Sequence, residues 1–137
     1  MTDEYDPKNK LHNQLKKRIE IGNALPDIPH TSFSISCLKK AGFEVLDSID
    51  FGKTTPLNPV PWYACLDSSF SVQGFRFTRI GRWLTGVLVR VLEFCRIAPA
   101  GSAAASDLLL DASKALVEAG KLGIFTPSFF IIGRKPK

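Results

Sequence analysis

Two stretches of this chain, residues 43–51 and 125–134, have the character of β-strands, and everything between them reads as helix or loop. The first, Phe43-Glu44-Val45-Leu46-Asp47-Ser48-Ile49-Asp50-Phe51, follows a helical pattern and a glycine stop, the rhythm of an α/β unit. The second, Phe125 to Arg134, is a near-continuous apolar run in which Pro127 and the β-forming residues argue against helix, and it reads as a buried strand. Two strands do not make a stable sheet by themselves. The chain therefore expects more sheet than it carries, supplied by a partner, by another copy or by a longer parent protein.

The helices around these strands follow from period and punctuation. Asp6-Pro7 reads as an N-cap with proline in the first helical turn, and Leu11, Leu15 and Ile19 recur on one face of a helix running to about Gly22. After a proline-containing loop to His30, Thr31 is placed to cap a second helix with Ile35, Leu38 and Ala41 inward and Gly42 as its left-handed stop. Residues 52–75 are irregular, with Pro56, Pro59, Pro61 and the pair Trp62-Tyr63.

From Arg79 to Ile97 the period is helical again. Ile80, Trp83, Leu84, Val87, Leu88, Val91, Leu92 and Cys95 make a broad apolar face, and Arg79, Arg82, Arg90, Glu93 and Arg96 lie largely opposite. Such a face is expected to be core, with rest on a membrane surface as the alternative. Pro99-Ala100-Gly101 ends that helix. Ser102 is placed to cap another that runs to Gly120, with Leu109, Ala112, Leu116 and Ala119 or their neighbours inward.

Composition excludes several classes. At 137 residues, 45% hydrophobic and 23% charged, the chain has the size and make-up of one folded domain. The formal charge of +5 comes from two dispersed groups, Lys8, Lys10, Lys16, Lys17 and Arg18, then Arg76, Arg79, Arg82, Arg90 and Arg96. Neither is an unbroken basic run, so both read as solvated helix faces, and nucleic acid is not an expected partner. Cys37, Cys65 and Cys95 are odd in number and widely spaced, against a disulfide framework or a zinc site, and no metal is expected. The start Met1-Thr2-Asp3-Glu4 is acidic where a signal peptide is basic, and no apolar stretch approaches the about 20 residues that span a bilayer.

The chemistry-bearing motifs are also sparse. No G-x-G-x-x-G follows a strand, and Gly81 to Gly86 has Walker spacing but continues into Val87-Leu88. His12 and His30 are tied to no nucleophile by any motif. Phe75-Arg76-Phe77-Thr78-Arg79 alternates aromatic and basic residues, a pattern that stacks on bases but more often marks one buried and one solvated face. Taken alone, the residues describe an α/β chain with a proline- and aromatic-rich insertion and no complete active site.

A series of local phrases, in order, resembles the C-terminal region of the sterol 24-C-methyltransferases. They are Met1-Thr2-Asp3-Glu4-Tyr5-Asp6, Glu20-Ile21-Gly22-Asn23-Ala24-Leu25-Pro26, Lys40-Ala41-Gly42-Phe43-Glu44-Val45 and Pro61-Trp62-Tyr63. Arg79-Ile80-Gly81-Arg82, Leu92-Glu93-Phe94, Ile97-Ala98-Pro99-Ala100-Gly101-Ser102, Gly120-Lys121-Leu122-Gly123-Ile124-Phe125-Thr126-Pro127 and Arg134-Lys135-Pro136 complete the series.

The resemblance implies the C-terminal part of a class I methyltransferase fold that uses S-adenosylmethionine: its last two strands plus a helical sterol-side insertion, without the cofactor-binding half. On that scheme 1–51 ends the methyltransferase core, 52–124 is the helical insertion, and 125–137 is the final strand and tail. S-adenosylmethionine is then a cofactor of the parent enzyme and is not expected to bind this chain alone. The chain resembles a truncated reading frame, inactive by itself. In the family's reaction the sterol side chain takes the methyl group and becomes a carbocation, which carboxylates and aromatic faces stabilise. Asp3 and Glu20 match acidic positions of the family's phrases, and Trp62 and Tyr63 match its aromatic pair; these four are the expected substrate-binding residues, and the catalytic residues are unassigned. The implied partners are a sterol, a membrane surface met through 79–97, and another copy or a full-length enzyme. The implied location is peripheral, on the cytoplasmic side of the endoplasmic reticulum. The contrasting expectation is a free-standing sterol- or lipid-binding module without catalysis.

Overall fold

A computed structural model of the chain describes residues 1–56, 59–66 and 78–136. The aromatic-basic stretch 75–77 expected from the sequence lies outside the described residues. Helices α1 (Lys10–Gly22) and α2 (Thr31–Lys40) precede strand β1 (Glu44–Asp50), and a short 3-10 turn spans Trp62–Cys65. Helices α3 (Arg79–Phe94) and α4 (Ser102–Lys121) follow, and strand β2 (Phe129–Arg134) closes the chain.

The core lies between α1 and α4. Leu15 and Ile19 of α1 are buried against Ala115 and Ala119 of α4, together with Met1, Tyr5 and Ile124. Small residues let the two helices approach closely. A Cβ added to Gly22 would sit 2.2 Å from the Cβ of Ala112, far inside contact distance. The guanidinium of Arg18 clasps Asp111 on the same pair of helices, Nε to Oδ2 at 2.8 Å and Nη2 to Oδ1 at 2.6 Å. That hydrogen-bonded pairing holds the Asp111 carboxyl below the usual carboxylate range. Residues 1–5 are sewn into the same core: Thr2 N–H donates to Ile124 O at 3.0 Å and Thr31 N–H to Met1 O at 3.0 Å.

Several helix ends differ from their expected form. The N-cap of α1 is Asn9, whose side chain accepts from Leu11 N–H at 2.9 Å. Asp6 instead accepts from Lys8 N–H at 2.8 Å, so Asp6-Pro7 makes a turn before the helix rather than its first residues. Helix α2 ends as expected, with Gly42 at φ +86° and the paired bonds Phe43 N–H to Leu38 O and Gly42 N–H to Lys39 O. Ala41, expected inward, is exposed, and none of α2 is fully buried.

Helix α4 runs on to Lys121 and stops at Gly123 (φ +71°), not at Gly120. Its start is Gly101, and the cap comes from the preceding helix: Glu93 Oε1 accepts from Gly101 N–H at 2.7 Å and Oε2 from Ala103 N–H at 2.8 Å. Ser102, expected to cap α4, is its first residue and donates its hydroxyl to Pro99 O at 2.7 Å. Leu109, expected inward, is exposed, because the face that meets α1 is Ala112, Ala115 and Ala119.

Strands β1 and β2 pair antiparallel, from Glu44 opposite Arg134 to Asp50 opposite Phe129, with an irregularity between Val45 and Asp47. Strand β1 lies within the expected 43–51, but of the expected 125–134 only Phe129–Arg134 is strand, and the burial expected of β2 does not hold. Phe129 and Ile131 are half-buried, whereas Phe130 and Ile132 on the other face are exposed. Among the described elements the sheet's main packing partner is α2, which meets both β1 and β2. The expectation that the apolar face of α3 is core is likewise overturned. Helix α3 packs chiefly on α4 among the described elements, and Ile80, Trp83, Leu84, Val87, Leu88 and Val91 are all exposed.

Candidate functional site

Between the helical core and the sheet lies a cleft of about 630 Å³, within the size range of small-molecule sites. One wall is aromatic. Pro61, with φ −60° and ψ 139°, leads into the 3-10 turn that presents Trp62 and Tyr63. Their rings meet edge to face at 5.6 Å, and Trp62 also meets Phe125 at 5.7 Å. Both rings rest on α4 at Gly120, and Phe129 of β2 lines the same space.

The rest of the lining is polar and carries both signs of charge, with Lys53 beside Asp3, Glu4 and Asp50. Asp3 lines the cleft and accepts from the hydroxyl of Thr31 at 3.2 Å. Asp50, at the end of β1, accepts from Gly52 N–H at 2.9 Å and from the hydroxyl of Thr126. The lining is mixed, with aromatic rings on one wall and carboxylates, Lys53 and threonine side chains on the rest. It suits a ligand that offers both an apolar face and polar groups.

Of the four residues expected from the sequence, the structure brings Asp3, Trp62 and Tyr63 to this one cleft. Glu20 is elsewhere. Its carboxylate accepts from Ile28 N–H at 2.8 Å and pairs with Lys16 Nζ at 3.2 Å, tying down the loop that follows α1. Sequence reasoning missed Asp50, Gly120, Phe125 and Phe129 as lining residues. Gly120 carried a signal: Gly123 follows it three residues on, and a helix needs only one stop, so the earlier glycine has another use. Among the described residues no three His, Cys, Asp or Glu side chains gather in a way that holds a metal ion. No described helix is long and apolar enough to cross a membrane.

By sequence, the chain is similar to the C-terminal region of the sterol methyltransferases, and the sterol methyltransferase C-terminal family model matches residues 72–137. Its relatives extend the likeness over the rest of the chain. Cycloartenol-C-24-methyltransferase of Arabidopsis thaliana is 46% identical over 100% of this chain and 40% of its own length. Cycloartenol-C-24-methyltransferase 1 of Oryza sativa subsp. japonica is 45% identical, over 99% of this chain and 39% of its length. Sterol 24-C-methyltransferase of Pneumocystis carinii is 37% identical, over 99% and 38%. The chain thus spans about two fifths of the relatives it matches. No solved structure matches it.

Each helix start is capped by the chain itself: Asn9 at α1, Met1 O at α2, Thr78 at α3 and the Glu93 carboxylate at α4.

Proposed function

We propose that this chain forms the sterol-side region of a sterol 24-C-methyltransferase, and that its aromatic cleft receives the sterol. The observation that supports this most is the gathering of Trp62, Tyr63 and Phe125 on one wall, opposite Asp3. A sterol is rigid and flat, and stacked rings bury such a surface at little entropic cost. Asp3, Trp62 and Tyr63 are assigned to the substrate, while Glu20, already engaged by Ile28 and Lys16, serves the loop. We assign 1–51 to the end of a class I methyltransferase core, 52–124 to the helical sterol-side insertion and 125–137 to the final strand and tail, with β1 and β2 as the core's closing antiparallel pair. S-adenosylmethionine is held by sequence outside these residues, and the chain alone transfers no methyl group.

The test is equilibrium binding of radiolabelled, cyclodextrin-delivered cycloartenol to the chain. Trp62→Ala and Tyr63→Ala are each expected to weaken binding roughly tenfold or more, as removal of an aromatic anchor does. Equal binding by wild type and both variants would sink the assignment. The second reading, a lipid-binding module without catalysis, rests on the same cleft. Methyl transfer in an assay supplied with S-adenosylmethionine and the chain alone would contradict both.

The exposed apolar face of α3 supports a peripheral membrane contact. Six apolar side chains from Ile80 to Val91 lie open, Trp83 among them, with Arg82 and Arg90 on the same helix. Glu93, the one acid on α3, is engaged by the amides of α4. A helix of this make-up lies in the interface of an anionic bilayer, and the cytoplasmic face of the endoplasmic reticulum is the surface we assign. The chain is expected to float with phosphatidylcholine vesicles that contain phosphatidylserine, and Trp83→Asp to reduce the floated fraction. Absence of flotation with the wild type removes the contact.

A further inference from the structure

Gly120 is the penultimate residue of α4, and the left-handed turn that ends the helix is made three residues later by Gly123. Its backbone conformation therefore does not call for glycine. Its surroundings do. A Cβ built at Gly120 would lie 2.4 Å from Cδ1 of Tyr63, 2.9 Å from Cζ2 of Trp62 and 3.0 Å from Cγ of Tyr63. Real Cβ atoms essentially never approach other heavy atoms so closely. Both rings are seated on bare helix backbone, in the space a side chain would fill.

Those two rings are a wall of the cleft, and Gly120 itself lines it. Trp62 in turn leans on Phe125, so the seat at Gly120 fixes three aromatic residues at once. The other glycines differ. Gly42, Gly101 and Gly123 have positive φ and open space where a Cβ would be, as turn glycines do. Gly22 has its close neighbour in the α1–α4 core, and Gly52 meets Thr126 and Pro127.

We propose that Gly120 is a specificity-determining position: by letting the edges of Trp62 and Tyr63 seat against the backbone of α4, it sets the width of the cleft and so the ring bulk of the sterol that enters. The inference rests on the reading of the cleft as a sterol site. A side chain at position 120 lifts the aromatic pair off the helix. Sterols bearing extra methyl groups on the ring faces then lose more than those without them, because one misplaced methyl in a packed apolar pocket changes affinity by roughly ten- to two-hundredfold.

The experiment uses the full chain with Trp83→Phe, which leaves Trp62 as the sole tryptophan reporter. Dissociation constants are measured for cycloartenol, which carries extra ring methyl groups, and desmosterol, which lacks them. Gly120→Ala is expected to shift the affinity ratio roughly tenfold against cycloartenol. Adding Tyr63→Leu, which trims the overlapping ring, is expected to restore the ratio, an outcome a general loss of stability would not produce. Tyr63→Leu alone opens the slot from the other side and is expected to shift the ratio toward cycloartenol; it serves as the deciding variant should Gly120→Ala not fold. An unchanged ratio in these variants, with the wild type binding sterol, overturns the role of Gly120 and leaves the sterol site standing. Binding of neither sterol by the wild type overturns the sterol site and this inference with it.

Discussion

Ile19→Ala lowers the stability of the chain by about 2–5 kcal/mol, the largest effect expected of any truncation in the core. Ile19 is 0% exposed, and it is one of three large side chains, with Leu15 and Ile124, that are fully buried. Its neighbours on α4 are Ala115 and Ala119, already the smallest residues that can face it. They have no rotamers with which to close the space, so the hole persists and the cost falls toward the upper end of the range. Few large side chains share the load, and a small core has little stability to spare. Urea unfolding followed by far-ultraviolet circular dichroism is expected to show a lower midpoint with an unchanged slope. A midpoint within error of the wild type would mean that the α1–α4 interface does not carry the fold.

Gly22→Val is the converse experiment, adding bulk where the helices touch. The Cβ alone would be 2.2 Å from the Cβ of Ala112 and 3.3 Å from its Cα. The nearest atoms belong to the body of α4, which has no flexible side-chain end to move aside. The helices must separate, and separation also strains the Arg18–Asp111 clasp. The expected loss is about 3 kcal/mol, the upper range for overpacking a core. Gly22→Ala combined with Ala112→Gly transfers the methyl group from one helix to the other and is expected to recover much of the loss. If Gly22→Val unfolds at the wild-type urea midpoint, the close crossing of α1 and α4 is wrong.

Period and punctuation carried the elements well. The Gly42 stop of α2, strand β1 and the helix beginning at Arg79 are where their patterns put them, whereas β2 starts four residues late and α2 is entered from His30 with Thr31 as its first residue. What period does not encode is what covers a face. The stripe from Ile80 to Val91 predicted a shared side for α3 correctly and its burial wrongly, because nothing in the stripe names a neighbour. Leu109 falls to the same cause: α4 turns alanines, not leucines, toward α1. The cap of α4 was illegible for another reason. Local signals pointed to Ser102, and the acceptor came from Glu93 on the preceding helix. In the cleft, the adjacent pair Trp62-Tyr63 stood out in the sequence. Asp50, Gly120, Phe125 and Phe129 did not, because only the fold assembles them.

The bond from Glu93 to Gly101 joins residues 8 apart in sequence, whereas the bond from Thr126 to Asp50 joins residues 76 apart. Closing the longer loop costs about 2 kcal/mol more chain entropy than closing the shorter one. The α3–α4 hairpin is thus cheap to form, and once clasped it shortens the path between the two strands. The sheet leans on the helices in this sense, and the cleft, with Phe129 on one side and Gly120 on the other, spans the join between the inexpensive part of the chain and the expensive one.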